Sequence, residues 1–257
     1  SIIKKDYGML ARIYDYAEEN DYIKKNFFRG FNKIEKTQSK IATKQVTPMT
    51  FEEERRFKEY LANDTHPYKN LVIIELFTGM RLGECLALNI SDVDIASNTI
   101  RVSKILTHDE NHKPYIHESA LSQTKDGARL VQINDVFKPN VIEAIENAKQ
   151  NAENTENLLF CQSNGSLILE SSVNSYLKRV AKEIGLSYWK QFSSHRLRHT
   201  FATRCIEAGV ILPVVQTLMG HNDIQTTVNE YGKIFNFYQV KEKEKYINYV
   251  TAGISEM

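Results

Sequence analysis

The chain has no apolar run near the roughly 20 residues that a membrane-spanning helix needs. Its charged start also lacks the apolar stretch of a signal peptide. A soluble protein working inside the cell is expected. Cysteine is scarce: Cys85, Cys161 and Cys205 are odd in number, widely separated and in no paired ligand spacing. That argues against a disulfide framework and against a zinc site, and points to reduced, mostly buried thiols. A surplus of one charge sign is missing too, with 33 Lys and Arg against 32 Asp and Glu and a net charge of +1. Composition alone therefore makes no case for nucleic acid. The bias is local. Lys24, Lys25, Arg29, Lys33, Lys36, Lys40 and Lys44 face only Glu35 in their stretch. Such a stretch can lie along phosphates, but a solvated linker accounts for it equally well.

At 257 residues the chain can bury a sizeable core and is expected to form one main domain plus a smaller N-terminal piece. Residues 8 to 28 read as helical, with Leu10, Ile13, Tyr14 and Ala17 at helical spacing. The polar, basic stretch from Glu35 to Gln45 follows, and Thr50 is a plausible N-cap for a new helix, so the domain boundary is placed near Thr43 to Pro48. Helices are predicted at 50 to 62, 67 to 79 and 81 to 88. Alternation from Thr99 to Leu106 and from Arg129 to Ile133 predicts half-buried strands, with a polar loop carrying Lys125 between them. Helices at 138 to 152, 171 to 184, 194 to 208, 211 to 219 and 223 to 231 are predicted beyond them, with a short strand at 158 to 161. The segment from Asn236 to Val250 places Val240, Ile247 and Val250 on one face among charges, an amphipathic helix. There is no internal repeat and no low-complexity segment.

The most informative run is Ser194-His195-Arg196-Leu197-Arg198-His199-Thr200-Phe201-Ala202-Thr203. His195 and Arg198 fall on one helix face about a turn apart, and a helix N-terminus adds positive potential and free N–H groups to an anion site. In isolation, such a pair is more often a solvated face. A second cluster, Thr78-Gly79-Met80-Arg81-Leu82-Gly83-Glu84, holds Arg81 at a turn with Glu84 close enough to orient it. Standing alone it would read as a structural ion pair. Downstream, Leu218-Met219-Gly220-His221 puts a histidine after a glycine stop, and Tyr231 follows.

Together, two arginines, a lysine, two histidines and a tyrosine make a chemical set for phosphoryl transfer without metal. Arginine pairs bidentately with phosphate and keeps its charge, so Arg81 and Arg198 can hold non-bridging oxygens. A phenol of pKa about 10 needs local activation, which a cationic site and a nearby histidine supply. A lysine on a loop suits protonation of the departing deoxyribose oxygen.

These segments resemble the tyrosine recombinase family, also called lambda-type or phage integrases, over about residues 46 to 235, with Arg81, Lys125, His195, Arg198, His221 and Tyr231 in the family's order. The resemblance implies a mainly α fold with a small antiparallel β-sheet and a site-specific recombinase or integrase, that of a mobile genetic element. Arg81, His195 and Arg198 would bind the scissile phosphate and His221 would assist. Tyr231 would form the 3′-phosphotyrosine, and Lys125 would protonate the leaving 5′-hydroxyl, with Lys104 as a fallback. Glu84 matches a supporting acidic position. His199 and Arg196 are assigned to packing or DNA-backbone contact, and Arg129, Lys178 and Arg179 to surface charge.

The implied organisation is a remnant of a helical core-binding domain with linker at 1–45, a catalytic domain at 46–235 and a C-terminal helix for subunit exchange at 236–257, a fragment of a longer enzyme. The implied partners are double-stranded DNA, sibling subunits in a tetramer and accessory DNA-bending proteins, in the bacterial cytoplasm and away from membranes. No cofactor and no metal are expected. A type IB topoisomerase-like enzyme is the nearest alternative, although it would not require the amphipathic C-terminal segment. A DNA-binding fragment without catalysis fits poorly with six filled positions. A metal-dependent nuclease would need clustered carboxylates that do not accompany these arginines.

Overall fold

The structure, a computed structural model, describes residues 2–26, 47–118, 128–220, 228 and 231, with backbone alone for 2–8. The chain divides into two units, Ser1–Gln45 and Val46–Met257. In the first, helix α1 spans Ile2–Glu19. It starts earlier than the periodicity predicts and stops well short of residue 28. The stop is local: Asp21 takes a left-handed φ of 59°, and the amides of Tyr22 and Ile23 fold back onto the Ala17 carbonyl.

The second unit opens with α2, Phe51–Asn63, where Thr50 and Glu53 form a reciprocal capping box. Helix α3, Lys69–Thr78, buries Leu71, Val72, Ile74, Leu76 and Thr78 around its circumference. A helix apolar on all sides belongs in a core. A short helix α4, Leu82–Leu86, and a 3-10 turn at Ile90–Asp92 follow.

Two small antiparallel sheets come next. Strands β1 (Val93–Asp94), β2 (Thr99–Val102) and β5 (Arg129–Gln132) form one in the order β1-β2-β5, and β3 (Lys104–His108) pairs with β4 (Pro114–Glu118) in the other. The single strand predicted over 99 to 106 is thus cut at Ser103 and shared between the two sheets. Strand β4 was not anticipated; it is largely exposed, so it carries no alternation of buried and solvated residues. The strand predicted at 158 to 161 reduces to one bridge between Asn89 and Leu158.

Helices α5 (Lys138–Gln150), α6 (Glu170–Glu183), α7 (Ser194–Glu207) and α8 (Leu212–Met219) follow, with a 3-10 turn at Trp189–Gln191 ahead of α7. Both α5 and α7 pack on α3. One apolar cluster, including Phe57, Leu61, Ile74, Phe137, Leu177 and Phe192, joins α2, α3, α5, α6 and the sheets. A separate small cluster of Ala202, Ile206, Val215, Met219 and Tyr231 lies between α7, α8 and the segment beyond. Cys85 is buried, and Cys161 and Cys205 are half-buried; all three are free thiols. Among the described residues, no helix is long and apolar enough to cross a membrane. The predicted helix at 223 to 231, apart from residues 228 and 231, and the amphipathic segment at 236 to 250 lie outside the described residues.

Candidate active site

Two glycines begin the site. Gly79 closes α3 and Gly220 closes α8, each in the left-handed region. A side chain at Gly79 would meet the ring of Phe201, and one at Gly220 would meet the guanidinium of Arg129. The last carbonyls of a helix have no partner within it and carry its negative end. Here they receive arginines. Arg198 donates from Nη1 to the Gly79 carbonyl and from Nη2 to the Met219 carbonyl. Arg81, the N-cap residue of α4, donates from Nη2 to the Gly220 carbonyl at 3.1 Å.

Glu84 sits where these segments meet. It accepts the Arg81 amide at 2.8 Å and Arg81 Nη1 at 3.0 Å. Arg129, from β5, adds a bidentate pair at 2.9 and 2.6 Å. Burial alone would push the Glu84 carboxyl up, but the bonds and charge of Arg129, then Arg81, overcome it and hold the group down at about 2. It is therefore an anion at any physiological pH. Arg198 is only 4% exposed, and burial, then the charge of Arg81, lowers it to about 10; it stays cationic.

Behind α7, Glu75 of α3 is fully buried and receives the Ser194 hydroxyl. Burial raises its carboxyl to about 8, against the opposing effects of Ser194 and Arg198. The carboxyl is thus mostly neutral at pH 7. Ser194 also donates its amide to Asn174 Oδ1 at 3.0 Å, which fixes the first turn of the helix carrying His195 and Arg198. The charge count follows: three guanidiniums, Arg81, Arg129 and Arg198, act on one another around one ionised carboxylate.

His195 is exposed, while Arg198, one turn on, is buried. His195 Nε2 lies 3.0 Å from His199 Nε2. The His199 ring is also 5.2 Å from that of Tyr231, which is 1% exposed. The described residues thus bring Arg81, Glu84, His195, Arg198 and Tyr231 into one neighbourhood, while Lys125 and His221 lie outside them. Lys104 is committed elsewhere, paired with Asp92 at 2.6 Å and bonded to Asn89.

One assignment made from sequence changes: Arg129 is a half-buried partner of Glu84, not surface charge. For Arg196 and His199, the packing role is the one seen. Arg196 is a packing residue, stacked 4.1 Å from the Tyr188 ring centroid and bonded to the Thr47 carbonyl. His199 packs between His195 and Tyr231. The position of Arg129 just after the lysine-bearing loop was a signal available in the sequence; Glu75 gave none.

The chain belongs to the phage integrase family, which matches it over residues 47–236. It is 27% identical over 253 residues to a tyrosine recombinase XerC-like protein of Caldanaerobacter subterraneus subsp. tengcongensis, covering 90% of this chain and 62% of that protein. An integrase from a Staphylococcus phage is 24% identical over 248 residues, covering 90% of this chain and 68% of that one. Among solved structures, the Tn1549 transposon integrase in complex with a circular intermediate DNA superposes with a TM-score of 0.72 at 26% identity, over 90% of this chain and 74% of that one. The chain thus spans about three fifths of the length of the XerC-like relative.

Proposed function

We propose that this chain is the catalytic part of a site-specific DNA recombinase, the integrase of a mobile genetic element, which cuts and rejoins strands through a covalent 3′-phosphotyrosine. One observation carries the reading: three guanidiniums and a single ionised carboxylate leave two positive charges in surplus beside a buried tyrosine. A phosphodiester supplies the missing negative charge. Each guanidinium has five N–H donors. Arg198 commits two of its donors to the Gly79 and Met219 carbonyls, which aim it and leave others for non-bridging oxygens. Arg81 is aimed in the same way by Glu84 and Gly220. Such donors, fixed before the reaction, stabilise charge on the non-bridging oxygens in the transition state.

In this reading His195 joins the arginines on the phosphate and the Tyr231 oxygen attacks it. Lys125 protonates the departing 5′-oxygen and His221 assists; for these two the support is their place in the family's order. At 1% exposure the Tyr231 phenol is closed to solvent, so cleavage requires a rearrangement that uncovers it. The phosphotyrosine conserves the energy of the broken bond, so rejoining needs no nucleotide, and no metal enters the scheme.

Residues 1–45 are read as the end of a DNA-clamping domain, 46–235 as the catalytic domain and 236–257 as a segment exchanged between subunits of a tetramer on DNA in the bacterial cytoplasm, aided by accessory DNA-bending proteins. A groove of about 600 Å³ lined by Phe51, Leu76, Phe77, Phe201 and Val210 supports the exchange, since it offers an apolar seat of the kind an amphipathic helix fills. The Tn1549 relative, seen on DNA of its own element, supports the mobile-element origin.

The test is incubation of the full chain with a pool of end-labelled, nicked duplexes of randomised sequence in EDTA, followed by denaturing electrophoresis. A retarded protein–DNA band from wild type, absent from Tyr231→Phe, is expected. No band from wild type at any sequence, or a band that needs added Mg²⁺, overturns the proposal.

A further inference from the structure

Building on that reading, we propose that His199 is a positioning residue for the cleavage step: its hydrogen bond fixes which ring nitrogen of His195 carries the proton, and its ring seats Tyr231. The geometry is specific. The two Nε2 atoms are 3.0 Å apart, and the rings stand nearly perpendicular at 89° with centroids 4.5 Å apart. The second ring contact, to Tyr231, is a tilted packing at 5.2 Å and 55°. His199 is 9% exposed, so it cannot turn to water for another partner.

The groups that face it are all unfavourable to a positive charge. Burial, then His195, Arg198 and Arg196, hold its imidazole down at about 4. A neutral imidazole has one N–H and one lone pair. Two Nε2 atoms can then bond only when one carries the proton and the other does not, so the tautomer of His195 is tied to that of His199. If His195 takes up a proton it becomes a donor at both nitrogens, and the Nε2 lone pair of His199 accepts one of them. His195 is thereby held in one defined tautomer when it meets the phosphate. Arg198, which holds Arg81 company across the same carboxylate, is not needed for this coupling.

Two variants separate the hydrogen bond from the packing. His199→Phe keeps an aromatic ring against Tyr231 but cannot bond His195. His199→Gln offers donor and acceptor alike. The first measurement needs no DNA: ¹⁵N spectra of the His195 ring in the full chain. Wild type should show one tautomer near neutral pH and both variants a mixture; a single unchanged tautomer in both overturns the proposal. The second is the rate of adduct formation against pH on the nicked duplex pool. His199→Phe should slow it by roughly ten- to a hundredfold, the range that partners orienting a functional imidazole contribute, and displace the pH profile. Retention of the duplex in native gels should not change. His199→Gln should recover part of the rate and carries the test if the Phe variant does not fold. An unchanged rate and pH profile in a folded variant also overturns the proposal. Wild type that forms no adduct would defeat the recombinase reading and leave the spectra to decide the histidine pair.

Discussion

The two apolar clusters of the larger unit are built on opposite terms. The large one, around Phe57, Phe137 and Phe192, gathers aromatic and aliphatic side chains from many elements and needs little polar support. The small one, around Ala202, Val215, Met219 and Tyr231, borders Arg198, His199 and Thr203, polar groups buried almost as deeply as itself. Area holds the first together. Beside the second lie arginines met by carbonyls at helix ends and by one carboxylate, and such buried charge is costly unless it is met. The difference teaches where to look for function. A fold can make a core from greasy residues alone, whereas one buried and two half-buried guanidiniums around a single carboxylate suit the reception of an anion.

Substitutions should split along that line. Phe57→Ala removes a ring that is fully buried and stacked on Phe192 at 5.6 Å, and should cost about 3–5 kcal/mol of stability in urea titrations. The adduct yield per folded molecule should hardly change. Arg198→Ala should do the reverse, lowering the adduct rate by roughly a hundred- to a thousandfold, as loss of one fixed donor does elsewhere. Equal losses of stability and rate in both variants would erase the distinction.

Glu84→Gln sharpens it, because Glu84 serves both structure and site. Losing the charged bonds to Arg81 and Arg129 should cost about 1.5–3 kcal/mol. The sign follows from the shift. Glu84 is held down to about 2 in the folded chain, so its stabilisation is present above its ordinary value of 4.5 and is lost as pH falls toward 2. Unfolding titrations between pH 5 and pH 2 should lose that slope in the variant. Glu75 works in the opposite direction. Its folded value, about 8, lies above the ordinary 4.5, so its contribution is complete below 4.5 and fades as pH rises through 8. Glu75→Gln should flatten the wild-type decline, at most about 1.4 kcal/mol per pH unit, over that window. An unchanged slope in the variant would show that the carboxyl is already ionised when folded.

The contrast also explains what could be read from the sequence. Arg81, His195 and Arg198 were legible because their segments are short, glycine-punctuated and local in meaning: the αL stop at Gly79 and the first turn of α7 follow from residues beside them. Thr50 as a cap was legible for the same reason. Glu75 was not, and Arg129 only by its place after the lysine-bearing loop. The partner of Arg129 is 45 residues away and that of Glu75 is 119 residues away, and neither spacing leaves a periodic trace. Arg129 on an edge of alternating residues looks like a solvated charge, and Glu75 looks like a lapse in an apolar helix. The break at Ser103 was hidden because two strands in different sheets can share one run of alternation.

The central claim, that the charged cluster delivers a phosphodiester to Tyr231, is tested most directly by digesting the covalent protein–DNA complex and mapping the nucleotide-bearing peptide by mass spectrometry. The account predicts a nucleotide on the Tyr231 oxygen and on no other residue. A nucleotide on any side chain outside this cluster would contradict it.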